Sequence, residues 1–136
     1  MLKVIELNYP LGNRRWRLKI IYASEKLEKE CTKLDWAKKK FGGNKKLAIS
    51  LLARINAIEQ ADTVMDIVAI PSFHFHNLSG KRKGEFAIDV KTRRDNWRLI
   101  LVPLNDEEKE FDPCDIDKVA KIARIVLIKE VSSHYE

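Results

Sequence analysis

The chain has 136 residues, 45% hydrophobic and 34% charged. That suits one domain spanning residues 1–136 with a buried core of its own, and excludes a disordered or low-complexity chain. No apolar run approaches the ~20 residues that cross a bilayer, and Met1–Pro10 lacks the basic, apolar and small-residue blocks of a secretion signal, so a cytoplasmic protein without a membrane partner is expected.

Net charge is +6, from 26 Lys and Arg against 20 Asp and Glu. Such a balance is compatible with nucleic acid, but lysine-rich surfaces also serve solubility alone. The distribution says more than the total. Residues 81–98 carry seven basic and three acidic side chains, whereas residues 106–117 carry seven acidic ones and a single lysine. Cys31 and Cys114 stand in no metal or redox spacing and read as reduced thiols.

Taken in order, Leu2–Leu7 and Trp16–Tyr22 read as strands. In the second, Trp16, Leu18, Ile20 and Tyr22 alternate with Arg15, Arg17, Lys19 and Ile21. The NYPLGN segment between them has turn chemistry, so an N-terminal hairpin is predicted. Ser24 offers an N-cap to a helix whose stripe runs Leu27, Cys31, Leu34, Phe41 and stops at Gly42-Gly43. The opposite face is lysine-rich (Lys29, Lys33, Lys38, Lys39, Lys40), a solvated scaffold face that is also able to touch RNA. Asn44 caps a second helix with the stripe Leu47, Leu51, Ile55, Ile58, widened by Ala48 and Leu52. The short connection makes the two an antiparallel helical hairpin.

A helical turn is expected at Val64–Ile67, closed by Pro71. Phe86, Ile88 and Val90 then alternate with Glu85, Ala87, Asp89 and Lys91, and Trp97, Leu99 and Leu101 with Arg98, Ile100 and Val102. This is a second hairpin, connected by Thr92–Asn96. Pro103–Pro113 reads as an acidic loop. The unbroken apolar run Ile125–Ile128 reads as a strand covered on both faces. The fold class is α+β: a twisted, mainly antiparallel sheet packed against an N-terminal helical hairpin.

Chemistry concentrates between Ile70 and Val102. His74-x-His76, with His134, would supply three imidazoles to a metal, but no Cys pair or HExxH accompanies them, and no metal or cofactor is expected. The Gly80–Gly84 turn is too short for a P-loop. Lys81, Arg82 and Lys83 in that turn, with Lys91, Arg93 and Arg94 near the next, instead form a patch able to bridge several phosphates, or a merely solvated basic turn. RNA cleavage without metal needs a proton acceptor, a proton donor and fixed cations. Histidine fits the first two tasks and arginine the third. His76, His134, Tyr135 and Arg98 supply these groups if the last strand pairs beside the Trp97 strand. His74 reads as a bystander.

These residues carry a resemblance. His76-x-Leu78-x-Gly80, then Arg82-Lys83-Gly84-Glu85-Phe86-Ala87-Ile88-Asp89-Val90, then Asn96-Trp97-Arg98-Leu99, and a terminal Val131-x-x-His134-Tyr135, resemble the HigB ("killer protein") toxins of the RelE/ParE superfamily of bacterial type II toxin–antitoxin systems. The match in order and spacing covers Ile70–Tyr135 apart from a longer acidic loop, and the helical hairpin sits where the family has one. The resemblance implies a RelE-like fold and an mRNA interferase, a metal-independent endoribonuclease that binds the ribosomal A site, cuts mRNA there and halts translation. It also implies neutralisation by a HigA-like helix-turn-helix antitoxin, with operator DNA bound only through that partner.

By position, His76 matches the H-x-L-x-G histidine and His134 the C-terminal one, both implicated in catalysis. Arg98 matches a phosphate-contacting arginine, and Lys83 falls in an RNA-positioning turn. Three features depart from the pattern. Asp89 stands where many relatives carry Arg or Lys, Ser132-Ser133 where Asp-Tyr is common, and Leu2–Asn13 is an N-terminal addition. Two alternatives stay open: a ParE-like inhibitor of DNA gyrase, and a degenerate toxin acting mainly as a co-repressor or binding module.

Overall fold

The computed structural model describes residues 17–133. The strand expected at Leu2–Leu7, and with it the N-terminal hairpin, lies outside the described residues, as do Trp16, His134 and Tyr135. The described part is α+β, with five strands in one mixed sheet and five α-helices.

The first strand, β1 (Lys19–Tyr22), keeps the alternation read from its sequence. Ile20 and Tyr22 pack toward the main core, while Ile21 joins a small cluster on the other side of the sheet. Helix α1 (Glu25–Thr32) begins where the Ser24 hydroxyl accepts from the Leu27 N–H at 3.1 Å, with Glu25 and Glu28 in its first turn. The single helix expected up to Phe41 is instead two. Thr32 Oγ1 donates back to the Glu28 carbonyl at 2.7 Å, and Lys33 turns extended (φ −122°, ψ 124°) before α2 (Leu34–Lys40). The break re-phases the apolar stripe, so Ala37 and Phe41 continue it and Leu34 faces water.

Gly42 and Gly43 both take positive φ, the left-handed backbone that ends a helix cheaply only at glycine. The Asn44 side chain then accepts from the Leu47 N–H at 3.1 Å and starts α3 (Lys45–Gln60). Its buried residues, Leu47, Ala48, Leu51, Ile55 and Ile58, belong to the expected stripe, while Leu52 is only half-buried. Helix α4 (Val64–Val68) realises the short turn before Pro71.

The sheet runs β1-β5-β4-β3-β2, with β2 His76–Asn77, β3 Phe86–Asp89, β4 Arg98–Leu104 and β5 Ile125–Ser132. β1 pairs parallel with β5 and the other three pairings are antiparallel. β3 and β4 form the expected hairpin. One core takes Leu51 and Ile58 of α3, Ile67 of α4, Ile88, Leu99, Leu101 and Ile128, all fully buried. Burying such a side chain contributes ~1.5–3 kcal/mol.

The acidic loop is shorter than expected. Pro103 and Leu104 extend β4 and pair with Val126 and Ile125. Beyond it, α5 (Ile116–Ile122) is a helix where no element was expected. Asp115 caps it, its side chain accepting from the Asp117 N–H at 3.2 Å, and Val119 and Ala120 face the core. No helix among the described residues is long and apolar enough to cross a membrane.

Candidate functional site

Strand pairing decides which side chains share the sheet face turned away from α3. Directly paired residues in antiparallel strands point to the same side. His76 pairs with Ala87, Ala87 with Ile100 and Ile100 with Glu130, making one row across four strands. Two residues along, Asp89 pairs with Arg98 and Arg98 with Ser132, making the next row on the same side. β5 does lie beside the Trp97–Arg98 strand, the condition on which a joint site depended. Ser132 stands two positions before His134 in the chain.

His76 is half-buried at the start of β2. Its Nδ1 lies 2.8 Å from the His74 carbonyl, and the two imidazole centroids are 4.8 Å apart. With Nδ1–H donating to that carbonyl, the neutral ring carries its lone pair on Nε2, the arrangement of a general base. His74, read as a bystander, therefore orients the ring of His76. It adopts a left-handed backbone (φ 53°) as the residue closing the Pro71–Phe73 turn, and its Nδ1 comes within 3.8 Å of Asp89 Oδ1.

Arg98 is buried. Its Nε lies 3.2 Å from Asp89 Oδ1, Nη1 donates to the carbonyls of Asp95 and Trp97, both at 2.8 Å, and Nη2 to that of Arg93 at 3.3 Å. Asp89, 1% exposed, meets this guanidinium by charge alone: among the described residues neither carboxylate oxygen accepts a hydrogen bond. Arg54 of α3 braces the same corner, donating from Nε to the Asp89 carbonyl at 2.8 Å and from Nη2 to that of Lys91 at 3.2 Å, with its guanidinium 4.4 Å from the Phe73 ring centroid. Burial lowers its pKa, offset in part by Asp89 and Asp95. Nothing in the sequence around Arg54 marks it, because its partners are backbone carbonyls 35 and 37 residues away.

The basic turn is folded back onto the sheet. Leu78 packs on Ala87 and Ile100, and Gly80–Arg82 forms a 3-10 turn above them. Arg82 pairs through Nη1 with Glu85 at 2.7 Å and through Nη2 with Glu130, while Lys129 reaches Glu85. The Glu130 hydrogen bond is the main cause of a raised Arg82 pKa. Arg82 is thus the clasp of its own loop, and Lys81 and Lys83 are left as the exposed cations of the turn. Lys91, Arg93 and Arg94 are exposed on the β3–β4 connection.

No protein-family model and no curated protein matches this chain.

The cysteines add no chemistry to this face. Burial, with the nearby Glu30 charge, pushes the Cys31 thiol up to about 12, so at pH 8 only about one part in ten thousand is the reactive thiolate. Cys114 is also raised, but it is half-exposed beside Phe111 and Pro113, on the rim of a cleft of about 600 Å³. Alkylation of the native protein at pH 8 is therefore expected to label Cys114 first, with Cys31 modified only on unfolding. Peptide mapping after a timed iodoacetamide pulse checks this, and equal labelling of both would refute it.

Proposed function

We propose that this protein is the toxin of a type II toxin–antitoxin pair, with a RelE-like fold, acting as a ribosome-dependent mRNA endonuclease of the HigB kind. It needs no metal, and a HigA-like helix-turn-helix antitoxin neutralises it. The observation that supports the reading best is the register that sets His76 and the Arg98–Ser132 pair in adjacent rows on one sheet face. Segments more than fifty residues apart thereby converge on one end of that face, and the chain continues from Ser132 into His134-Tyr135. In this scheme His76 and His134 move the two protons, and exposed Lys81, Lys83, Lys91, Arg93 and Arg94 meet the phosphates.

Inducing the protein is expected to halt translation and to produce cuts inside codons of translated messages only. Primer extension on a reporter with and without its start codon makes the measurement. Unchanged profiles on both messages would overturn the reading.

A second reading has its own support. Asp89 neutralises Arg98, and Glu85 and Glu130 neutralise Arg82, which leaves fewer cations for a transition state and suits a binding module that serves with its antitoxin as a co-repressor. Induction without growth arrest, together with operator binding that requires both proteins, would favour it.

A further inference from the structure

Positive charge without an internal ion pair is concentrated on α1, α2 and the start of α3. Residues 25–46 hold eight lysines against Glu25, Glu28, Glu30 and Asp35. Among the described residues none of these lysines forms an ion pair, in contrast to Arg82, Arg98 and Lys129. Three of them, Lys26, Lys39 and Lys40, line a cleft of about 340 Å³ with Glu30 and Trp36. The cleft continues on one side into a smaller one beside Asp35, and on the other into one that reaches Lys129 and Val131 near the end of β5. Glu30, 7% exposed, lines the same cleft and sets one carboxylate against its three lysines.

Trp36 is the unusual member. It joins no hydrophobic cluster, and the Lys29 ammonium lies over its ring, 5.1 Å from the centroid. An indole with a cation on one face and a lysine-lined cleft beside it is a stacking platform flanked by phosphate partners. Single-stranded nucleic acid is recognised in this way, with a base on an aromatic ring and the backbone along a positive groove. An acidic protein or an anionic membrane would bury Trp36 in apolar surroundings, whereas a nucleic-acid base would stack on it between phosphates held by the lysines.

We propose that the cleft between α1 and α2 binds single-stranded RNA, with one base on Trp36 and neighbouring phosphates on Lys26, Lys39 and Lys40. The choice of RNA over DNA rests on the nuclease reading, whereas the cleft and its chemistry do not. Because one arm of the cleft opens beside Val131, a strand leaving the candidate site near the end of β5 would run into it.

The test is fluorescence anisotropy of labelled 12-nucleotide U and dT oligomers with the full-length chain at 50 and 200 mM salt. Trp36→Ala is expected to weaken RNA binding about ten-fold or more, with Trp36→Phe recovering most of it. Lys26→Gln/Lys39→Gln is expected to reduce the salt slope by about 1.4, roughly 0.7 for each phosphate no longer neutralised. Lys121→Gln, exposed on α5 and in neither site, should leave affinity unchanged, which ties any loss to the cleft. Tighter binding of U than of dT supports RNA, and the reverse overturns that choice. Unchanged affinity in Trp36→Ala, or an equal loss when Trp36 variants bind anionic lipid vesicles, overturns the proposal. If Trp36→Ala unfolds, the lysine variant carries the decision, and an unchanged salt slope overturns the proposal.

Discussion

Replacing His76 by alanine is expected to slow codon cleavage by about 10²–10⁴-fold, the usual contribution of a positioned general acid or base. His134→Ala is expected to do the same. The geometry behind the first figure is the 2.8 Å approach of His76 Nδ1 to the His74 carbonyl, which fixes both the ring plane and the tautomer. The side chain is half-buried on a short edge strand, so its removal leaves the main core intact. The double variant is expected to fall little further than either single one, because both groups serve one displacement and such losses do not add. Single-turnover cleavage on programmed ribosomes, beside thermal melts of each variant, is the measurement. A His76→Ala protein that is folded and cuts at the parent rate would remove His76 from the mechanism.

Much of this site was open to sequence reading, for local reasons. The β3–β4 hairpin and β5 announce themselves by alternation and by an unbroken apolar run, and their adjacency brings Arg98 opposite Ser132. The Asn44 and Ser24 caps marked helix starts correctly, since a cap is an interaction across three residues. Long-range pairing was not readable. The roles of Glu85, Glu130 and Lys129 in clasping the basic turn depend on a register shift between Ile100 and Leu101, which brings β5 side chains to meet a loop more than forty residues earlier. Helix α5 was readable in principle: Asp115 caps it, and Ile116, Val119, Ala120 and Ala123 recur at helical spacing.

Asp89 was legible as a departure but not in what it does. Its replacement by alanine is expected to destabilise the fold by about 3–5 kcal/mol, the effect of removing one partner from a buried ion pair. Arg98 would keep its three carbonyl partners but lose its nearer counter-charge, with Asp95 Oδ1 left 3.9 Å from Nη1, while buried under the loop that carries Arg93 and Asp95. Urea denaturation measures the loss. Asp89→Leu with Arg98→Met should recover much of it, because a buried pair is often matched in stability by apolar residues of similar volume. A single variant as stable as the parent would show that the pair does not carry the corner of the sheet. Asp89→Asn separates the two functional readings. It keeps the shape and removes the nearer carboxylate, leaving Asp95, 3.9 Å from Arg98 Nη1, as a remaining counter-charge and more of the cation available one row from His76, where it would favour an anionic transition state. In a nuclease this variant is expected to cut faster per folded molecule, and in a binding module it gains nothing.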